Sequence, residues 1–565
     1  MRKRKILILF LAFMVIAGGI SHTLHAQVEE EEWMRGRDPE KFGGTLILAQ
    51  DDEPLNMDSL RTTYGAQAHI FISESPFMYS PDGELGPAGW LEEIEQSEDG
   101  LRITFHLKEG VTFHDGVPLD AEAFAWLLRE RMRDDEIYDF PLLNVPDPDH
   151  IVIIDEYTVE IQQEDIPFPE LKQVMATPSW LGAMRTPRAL ERYGDVYGYE
   201  MAYGNGPFLM DEWVRGEYIS FVRNEDYWWT PDWAADYAGL EEGEDYQPGP
   251  PYLEEVILEY VPEASTRVSM LRTREVDGII NVPTLHIEEI EGIPGVEILE
   301  MPSYIIRAIE YNSTAAPLDE LKVRQALNYA VNRDAIAEVV FSGYAEPAHS
   351  PYTSKFLETE NTERMYHFNQ QKAVSLLEEA GWHMGDDDFR YKDGERLSFE
   401  LWCRDTSEFR MIVEMVQGMW RALGADVDAR YFDEATVRSR IDEGEHEAVL
   451  WEHQWVTKGD MYNWWFAPEY KWYPQKTGYD SEELRNLVAK TYEASSMEEL
   501  EDSVDELVNY YLAQGVFNPI VRPINLFAIY EDVENIYLSH QGGGWWGWIP
   551  RMYDVYLQDV YEGNN

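Results

Sequence analysis

The sequence predicts an α/β protein of several lobes. Three observations support this fold class: the chain has 565 residues, 44% of them are hydrophobic and 13% aromatic, and strand-like and helix-like patterns alternate along its length. At about 150 residues per domain, this length suffices for three or four domains with sizeable apolar cores. The aromatic content also separates the chain from disordered proteins of similar charge.

The order of elements follows from the hydrophobic pattern. Aliphatic or alternating runs predict strands at 45–49, 101–107, 158–161, 256–261, 397–402 and 447–451. Apolar residues at helical spacing predict helices at 120–131, 265–274, 319–341, 371–380, 408–423 and 497–512. Asp120 is a candidate N-cap for the first of these helices. Residues 230–251 are rich in Gly, Pro and acids, which predicts a surface loop.

Composition excludes one class of partner. The 107 Asp and Glu against 45 Lys and Arg give a formal net charge of -62. Because nucleic-acid binding depends on clustered Lys and Arg, we expect no nucleic-acid partner. Scattered acids at this density favour a solvated surface adapted to salt over an acidic functional patch. The single cysteine, Cys403, rules out an intramolecular disulfide and is expected to be a buried hydrophobe.

The N-terminus predicts export from the cytoplasm. Four basic residues at 2–5 precede an apolar run of about 15 residues, and small and polar residues follow as far as Ala26. This pattern is typical of a signal peptide at 1–26; an uncleaved anchor is the alternative, although a spanning helix needs about 20 apolar residues. No cysteine stands at the junction, so we expect no lipid anchor. Residues 27–42 predict a flexible lead-in.

Motifs for catalysis are absent from the sequence. There is no H-E-x-x-H, no G-x-S-x-G and no G-x-x-x-x-G-K-[ST], and His446, Glu447 and His453 lack the spacing of metal ligands. With 107 acids, carboxylate pairs arise by chance, so no glycosidase dyad is assigned. We therefore predict no catalytic residue, metal or cofactor. A secreted glycosidase or peptidase remains a remote alternative, because catalytic groups assemble across long distances.

Tryptophans cluster late in the chain. Five lie within 451–473, and Trp545, Trp546 and Trp548 follow three glycines. An indole ring suits stacking on sugar rings, peptide side chains or cations. Core packing is the alternative for each of them, but their clustering beside Gly, Asn and Asp favours a cleft wall.

Several segments in a fixed order carry a family pattern. They are Gly43-Gly44-Thr45-Leu46 with the loop at 52–58, LRITFHLKEGVTFHDGVPLD at 101–120, the GNGPF segment and the RNEDYW that follows within 204–228, the strand and helix at 252–278, and VRQALNYAVNR at 323–333 with 343–348 after it. Together they resemble the extracytoplasmic solute-binding proteins of ABC importers, in the large class typified by dipeptide- and oligopeptide-binding proteins, family 5. Arg274 stands where this family has a glycine.

The resemblance implies a two-lobed periplasmic-binding-protein fold of type II, in the large class with an extra subdomain. A ligand cleft would lie between lobes joined by a two-strand hinge, and bound ligand would stabilise the closed state. The expected boundaries are 43–75, 205–300 and 525–565 for the first lobe, 76–204 for the extra subdomain, and 301–524 for the second lobe.

The resemblance also implies a function. The chain is expected to capture a peptide or similar oligomeric solute outside the cytoplasm and, as a monomer and without catalysis, to deliver it to permease subunits with their ATPase. A receptor that feeds a sensor would share the fold and the cleft.

Peptide binders of this family pair the ligand's α-amino group with an aspartate that follows a tryptophan. Here Trp455 keeps the tryptophan, but Lys458 stands where the aspartate is expected, and lysine would repel an ammonium group. Either Asp460 replaces it, or the ligand has no free amine, as for an oligosaccharide stacked on tryptophans. The predicted ligand-binding residues are Trp455, Lys458, Asp460, Trp464 and Arg404, which would face a ligand carboxylate unless it forms a surface ion pair.

Overall fold

The computed structural model describes residues 37–58, 68–74, 77–79, 85–87, 89–97, 101–131, 148–162, 185–228, 249–455, 458, 461, 477–494, 497–536 and 555–558. The predicted signal peptide, most of the predicted loop at 230–251, Asp460, Trp464 and Trp545 to Trp548 lie outside the described residues.

Apart from one strand of 14 residues, the described strands are short. They are β1 (Thr45–Gln50), β2 (Phe77–Tyr79), β3 (Leu85–Pro87), β4 (Leu91–Gln96), β5 (Arg102–Leu107), β6 (Ile151–Asp155), β7 (Thr158–Gln162), β8 (Phe208–Val214), β9 (Tyr218–Arg223), β10 (Glu255–Tyr260), β11 (Gly278–Ile280), β12 (Val296–Pro302), β13 (Ile305–Tyr311), β14 (Ala345–Pro347), β15 (His383–Met384), β16 (Arg390–Lys392), β17 (Glu395–Arg396), β18 (Ser398–Arg404), β19 (Asp426–Phe432), β20 (Ala448–Gln454), β21 (Phe517–Tyr530), β22 (Val533–Glu534) and β23 (Tyr556–Leu557).

The α-helices lie between these strands. They are α1 (His69–Ile72), α2 (Ala121–Arg131), α3 (Pro187–Tyr193), α4 (Ala264–Thr273), α5 (Ile287–Glu291), α6 (Leu321–Tyr329), α7 (Arg333–Phe341), α8 (Gln370–Glu379), α9 (Ser407–Arg421), α10 (Glu434–Asp442), α11 (Glu482–Tyr492) and α12 (Met497–Ala513).

One long strand connects two half-sheets. In the described chain the strand order is β19-β18-β20-β13-β21-β11-β1-β10-β9-β8, and β12 and β14 also pair with β21. Residues 517–521 of β21 pair with β13, whereas residues 524–530 pair with β12 and, in part, β11. We call the half-sheet with β1 the first lobe and the half-sheet with β13 the second lobe. The backbone crosses between them at 302–304 and within β21.

Separate apolar cores support the two halves. The first lobe buries Leu48, Val256 and Ile529 in one cluster. The second lobe has a core on each face of its sheet, as expected for strands covered by helices on both sides. The apolar face of α9, with Phe409, Ile412, Val413, Val416 and Trp420, packs into one of these cores at helical spacing.

A third body contains the antiparallel sheet β4-β5-β7-β6 and α2. Its core includes Tyr227 and Trp228, which follow β9. Conversely, Ala189, Tyr197 and Ala202 belong to the core of the first lobe. The predicted boundaries at 76 and 204 therefore separate segments that pack into each other.

The predicted strands are present within a few residues, and five of the six predicted helices are single helices. The prediction of one helix over 319–341 is wrong, because two helices, α6 and α7, occupy this range. The reason is local: the Asn332 side chain accepts a hydrogen bond from the backbone N–H of Ala335 and so caps α7. The apolar pattern continues across the break because both helices contribute buried residues to the same core.

Candidate ligand cleft

The carboxyl ends of the parallel strands in both lobes point toward the crossover. In the first lobe β1 is parallel to β10 and β11, and β11 is antiparallel to β21, so these strands end near the crossing. In the second lobe β18 is parallel to β20, whose last residue, Gln454, pairs with Ile305 beside the crossing. Ligands of open α/β sheets bind beyond the carboxyl ends of strands, so the candidate site is the cleft between these two edges.

Asp51 and Asp52 follow β1 at the edge of the first lobe. Asp51 accepts a hydrogen bond of 3.3 Å from Asn281 Nδ2, and its Oδ2 lies 3.9 Å from Arg267 Nη2. The Arg267 guanidinium is 3% exposed and donates to the carbonyl oxygens of Val261 and Pro262. Asp51 is therefore tied to α4 and to the residue after β11.

The Asp52 carboxylate differs from that of Asp51. The residue is exposed, and among the described residues no group donates a hydrogen bond to its side chain. The surrounding protein partly removes it from water, and with the negative charges of Asp51 and Glu452 this raises its pKa to about 6, although Arg404 and Arg267 oppose the shift. Groups of both lobes therefore act on this one carboxylate.

A chain of ion pairs lines the edge of the second lobe. Arg307 donates from Nε to Glu408 Oε1 at 2.6 Å and from Nη1 to Glu452 Oε2 at 2.5 Å. Arg404 donates to both oxygens of Glu452, at 3.1 and 2.9 Å. Burial alone would raise the pKa of Glu452, but the charges of Arg404 and Arg307 outweigh it and lower the pKa.

Arg404 thus lies at the edge of the candidate cleft, where the sequence predicted it, and forms an ion pair with Glu452. Its guanidinium also lies 4.2 Å from the centre of the Phe409 ring. Its role toward a ligand stays a prediction.

Trp455 and Lys458 lie inside the second lobe. Trp455 is 2% exposed and packs in the core with Ile306 and Tyr352. Lys458 Nζ donates to Asp505 Oδ2 at 2.7 Å, and both side chains are buried. Asp505 also accepts hydrogen bonds from Tyr352, Thr359 and Thr362. Asp460 and Trp464 lie outside the described residues, so the structure does not bring the predicted set together.

Sequence reasoning missed several charged groups of this region. Glu310, which lies between Ile309 and Tyr311, forms a buried pair with His453 at 2.9 Å, and the sequence did not indicate this pairing. Asp505 lies 47 positions from Lys458, and no local pattern connects the two. A usable signal existed for Asp51 and Asp52, because they follow a strand whose neighbours on both sides run parallel to it.

Within the described ranges, no three His, Cys, Asp or Glu side chains are grouped so that they could hold a metal ion. In the same part of the chain, no helix has both the length and the apolar character needed to cross a membrane.

Comparison with known families decides the classification. Residues 87–473 match the model of the bacterial extracellular solute-binding proteins, family 5 Middle. The chain belongs to this family. Its members act outside the cytoplasm as binding proteins, in agreement with the predicted fold and the predicted compartment.

Relatives of this family 5 protein differ in what they bind. The glutathione-binding protein GsiB of Escherichia coli O1:K1 is 31% identical over 296 residues, which are 52% of this chain and 53% of GsiB. The chain therefore matches about half the length of this relative.

Two solved structures share the two-lobed fold. DppA from Helicobacter pylori, an ABC transporter-associated periplasmic binding protein in complex with the peptide STSA, has a TM-score of 0.72 and 21% identity over 92% of this chain and 99% of DppA. NikA from Brucella suis in complex with Fe(III)-EDTA has a TM-score of 0.74 and 20% identity over 91% of this chain and 100% of NikA.

Proposed function

We propose that the protein captures a peptide in the cleft between its lobes and delivers it to the permease subunits of an ABC importer. The observation that carries the proposal is the pair of facing strand edges joined by two backbone crossings. Such an arrangement closes by changes in a few backbone dihedrals, and a ligand that contacts both edges stabilises the closed state. The match to glutathione-binding proteins favours a short peptide as the solute.

The placement of Lys458 removes one objection to an amine-bearing ligand. The sequence raised the objection that Lys458 would repel an ammonium group. In the structure its charge is matched by Asp505 at 2.7 Å inside the second lobe. A buried pair of opposite charges has little field at a distance, so the objection no longer applies.

Sugar stacking receives less support. Of the five tryptophans within 451–473, the structure describes Trp451 and Trp455, and both are buried in cores. Neither offers a free ring face to a sugar, so an oligosaccharide remains the second candidate and depends on residues outside the described part.

Thermal unfolding with solute panels tests the function. A ligand that binds only the folded state adds RT ln(1 + [L]/Kd) to the stability, about 2.7 kcal/mol at a hundredfold excess over Kd. We expect a rise in Tm with peptides of two to nine residues and none with plant or algal oligosaccharides. A rise with oligosaccharides alone would reject the peptide proposal.

We also propose that the chain is exported by a leader ending at Ala26, that it acts as a monomer, and that its lobes follow the boundaries expected from the sequence, except that residues 189–202 pack with the first lobe and residues 227–228 with the extra subdomain. The separate apolar cores support the lobes. Intact-mass measurement of the exported protein and light scattering test the leader and the monomer.

A further inference from the structure

Arg522 is a buried cation with unused donors at one of the crossings between the lobes. It lies on β21 between residues 517–521, which pair with β13, and residues 524–530, which pair with β12. Its side chain is 7% exposed, and its Nη2 donates to Glu358 Oε1 at 2.7 Å. Nε and Nη1 are buried and have no acceptor among the described residues. Three of its five N–H bonds are therefore buried without an acceptor.

Other buried arginines of the described chain are better satisfied. Arg185, Arg267 and Arg404 each have a buried Nε without an acceptor, but their Nη1 atoms donate to a carboxylate or to carbonyl oxygens. Arg333, which contacts the same strand as Arg522, uses all three nitrogens: they donate to two carbonyl oxygens and to a side-chain amide oxygen. The missing acceptors are thus a property of the place that Arg522 occupies.

Glu358 does not balance the charge of Arg522 alone. Its Oε1 also accepts from Ser350 Oγ at 2.6 Å, and its Oε2 accepts from Arg364 Nε at 3.0 Å. Burial by itself would raise the pKa of Glu358, but the Ser350 hydroxyl and the two arginines outweigh it and lower the pKa. One ionised carboxylate therefore faces two guanidinium groups.

The carboxylate opposite Arg522 in the sheet is used elsewhere. Glu346 of β14 is the cross-strand neighbour of Arg522, and its Oε1 accepts from Lys355 Nζ at 2.9 Å. A buried cation is costly unless it has both hydrogen-bond acceptors and an opposite charge nearby. Water at Nε and Nη1 would supply acceptors but no charge, whereas an anion supplies both.

We propose that Arg522 binds a small inorganic anion, with chloride as the occupant in a saline medium. The anion accepts hydrogen bonds from Nε and Nη1 and supplies the charge that Glu358 divides between two arginines. A compact ion fits this place better than a larger solute, because Arg522 and Ser350 are both less than a tenth exposed. The site concerns the crossing itself and goes beyond the capture of a peptide.

The test compares Arg522→Gln with Arg396→Gln, which removes the same charge from an exposed ion pair with Asp426. Arg522→Gln leaves Glu358 bonded to Arg364, so the buried carboxylate keeps a cation. Thermal unfolding is measured in potassium chloride, potassium bromide and potassium gluconate at equal ionic strength; gluconate is the anion too large for an enclosed site. Screening depends on ionic strength alone, so a difference among the salts reports binding.

We expect the wild type to have a higher Tm in chloride and bromide than in gluconate. The difference should saturate with concentration, as for a ligand that binds only the folded state. It should disappear in Arg522→Gln and persist in Arg396→Gln. The same Tm in all three salts, or an equal difference in the wild type and Arg522→Gln, would overturn the site.

Bromide also gives a direct readout that does not depend on a variant. Anomalous scattering from wild-type crystals soaked in bromide should show the ion beside Nε and Nη1 of Arg522. If Arg522→Gln does not fold, the crystals decide, and the absence of bromide at Arg522 would overturn the proposal. A bromide peak without any difference in Tm among the salts would be an adventitious ion only and would overturn it as well.

Discussion

At the scale of single residues, the buried ion pair between Lys458 and Asp505 allows a direct measurement of what it contributes to stability. Replacing Lys458 by Met leaves a buried carboxylate whose remaining donors are Tyr352, Thr359 and Thr362. Breaking a buried ion pair by removing one partner typically costs about 3–5 kcal/mol. Because three hydroxyl donors remain, we expect a loss near 3 kcal/mol for Lys458→Met, measured by denaturant unfolding.

The helix that carries Asp505, α12, also provides the control. Lys490 pairs with Glu506, the residue after Asp505, and both side chains are more than half exposed. Exposed pairs contribute about 0–1 kcal/mol, so Lys490→Met should cost less than 1 kcal/mol. Equal losses in the two variants would mean that Lys458 is not buried with Asp505.

Glu74 links stability to pH. Burial raises its pKa to about 8 from the usual 4.5, although the hydrogen bond from Tyr227 opposes the shift. The folded state therefore holds a proton that the unfolded state releases, and stability falls by about 1.4 kcal/mol per pH unit between about pH 5 and 8. Glu74→Gln keeps an acceptor for Tyr227 and should remove this slope. The slope is measured from unfolding free energies at pH 5 and pH 8. The same slope in the wild type and in Glu74→Gln would contradict the raised pKa of Glu74.

Arg274 illustrates how a helix end is determined by backbone conformation. It is the C-cap of α4, with φ 57° and ψ 38° in the left-handed region, where the resembling family has glycine. This conformation costs an L-residue about 1–2 kcal/mol and costs glycine almost nothing. The side chain partly compensates by pairing with Asp532 and by lying 4.4 Å from the centre of the Tyr530 ring.

Two substitutions separate the backbone from the side chain. Arg274→Gly and Arg274→Ala lose the same contacts, so the glycine variant should be more stable by about 1–2 kcal/mol. At Arg272, in the last turn of the same helix, the order should reverse, with alanine better by about 1 kcal/mol. Chemical unfolding of the four variants tests this, and the same order at both positions would exclude the conformational explanation.

Elements with a strong local pattern could be predicted from the sequence. The strand predicted at 45–49 follows glycines and is aliphatic, and the helix predicted at 408–423 keeps one apolar face. The structure contains both elements. The break before Asn332 was missed because its signal is one capping side chain within a continuous apolar pattern. For the cleft, the strand end identifies Asp52, but its neighbours Arg404 and Glu452 are more than 350 positions away. Such pairs depend on the packing of whole lobes.

At the scale of the whole molecule, acids outnumber basic residues. If every Lys and Arg were paired with one carboxylate, more than half of the 107 acids would still have no cation. The many exposed ion pairs, such as Arg396 with Asp426, contribute little each. Repulsion among the remaining carboxylates therefore opposes the folded state.

Added salt should stabilise the protein for this reason. The screening length falls from about 30 Å at 0.01 M to about 3 Å at 1 M, which weakens repulsion over long distances more than attraction within close ion pairs. We expect Tm to rise steeply with KCl at low concentrations and then to level off, because screening is complete once the screening length is shorter than the spacing of the charges. Strengthened apolar burial would instead need high concentrations and would also occur in sucrose. A Tm that is unchanged in KCl, or that rises equally in sucrose, would show that charge repulsion does not limit the stability of this fold.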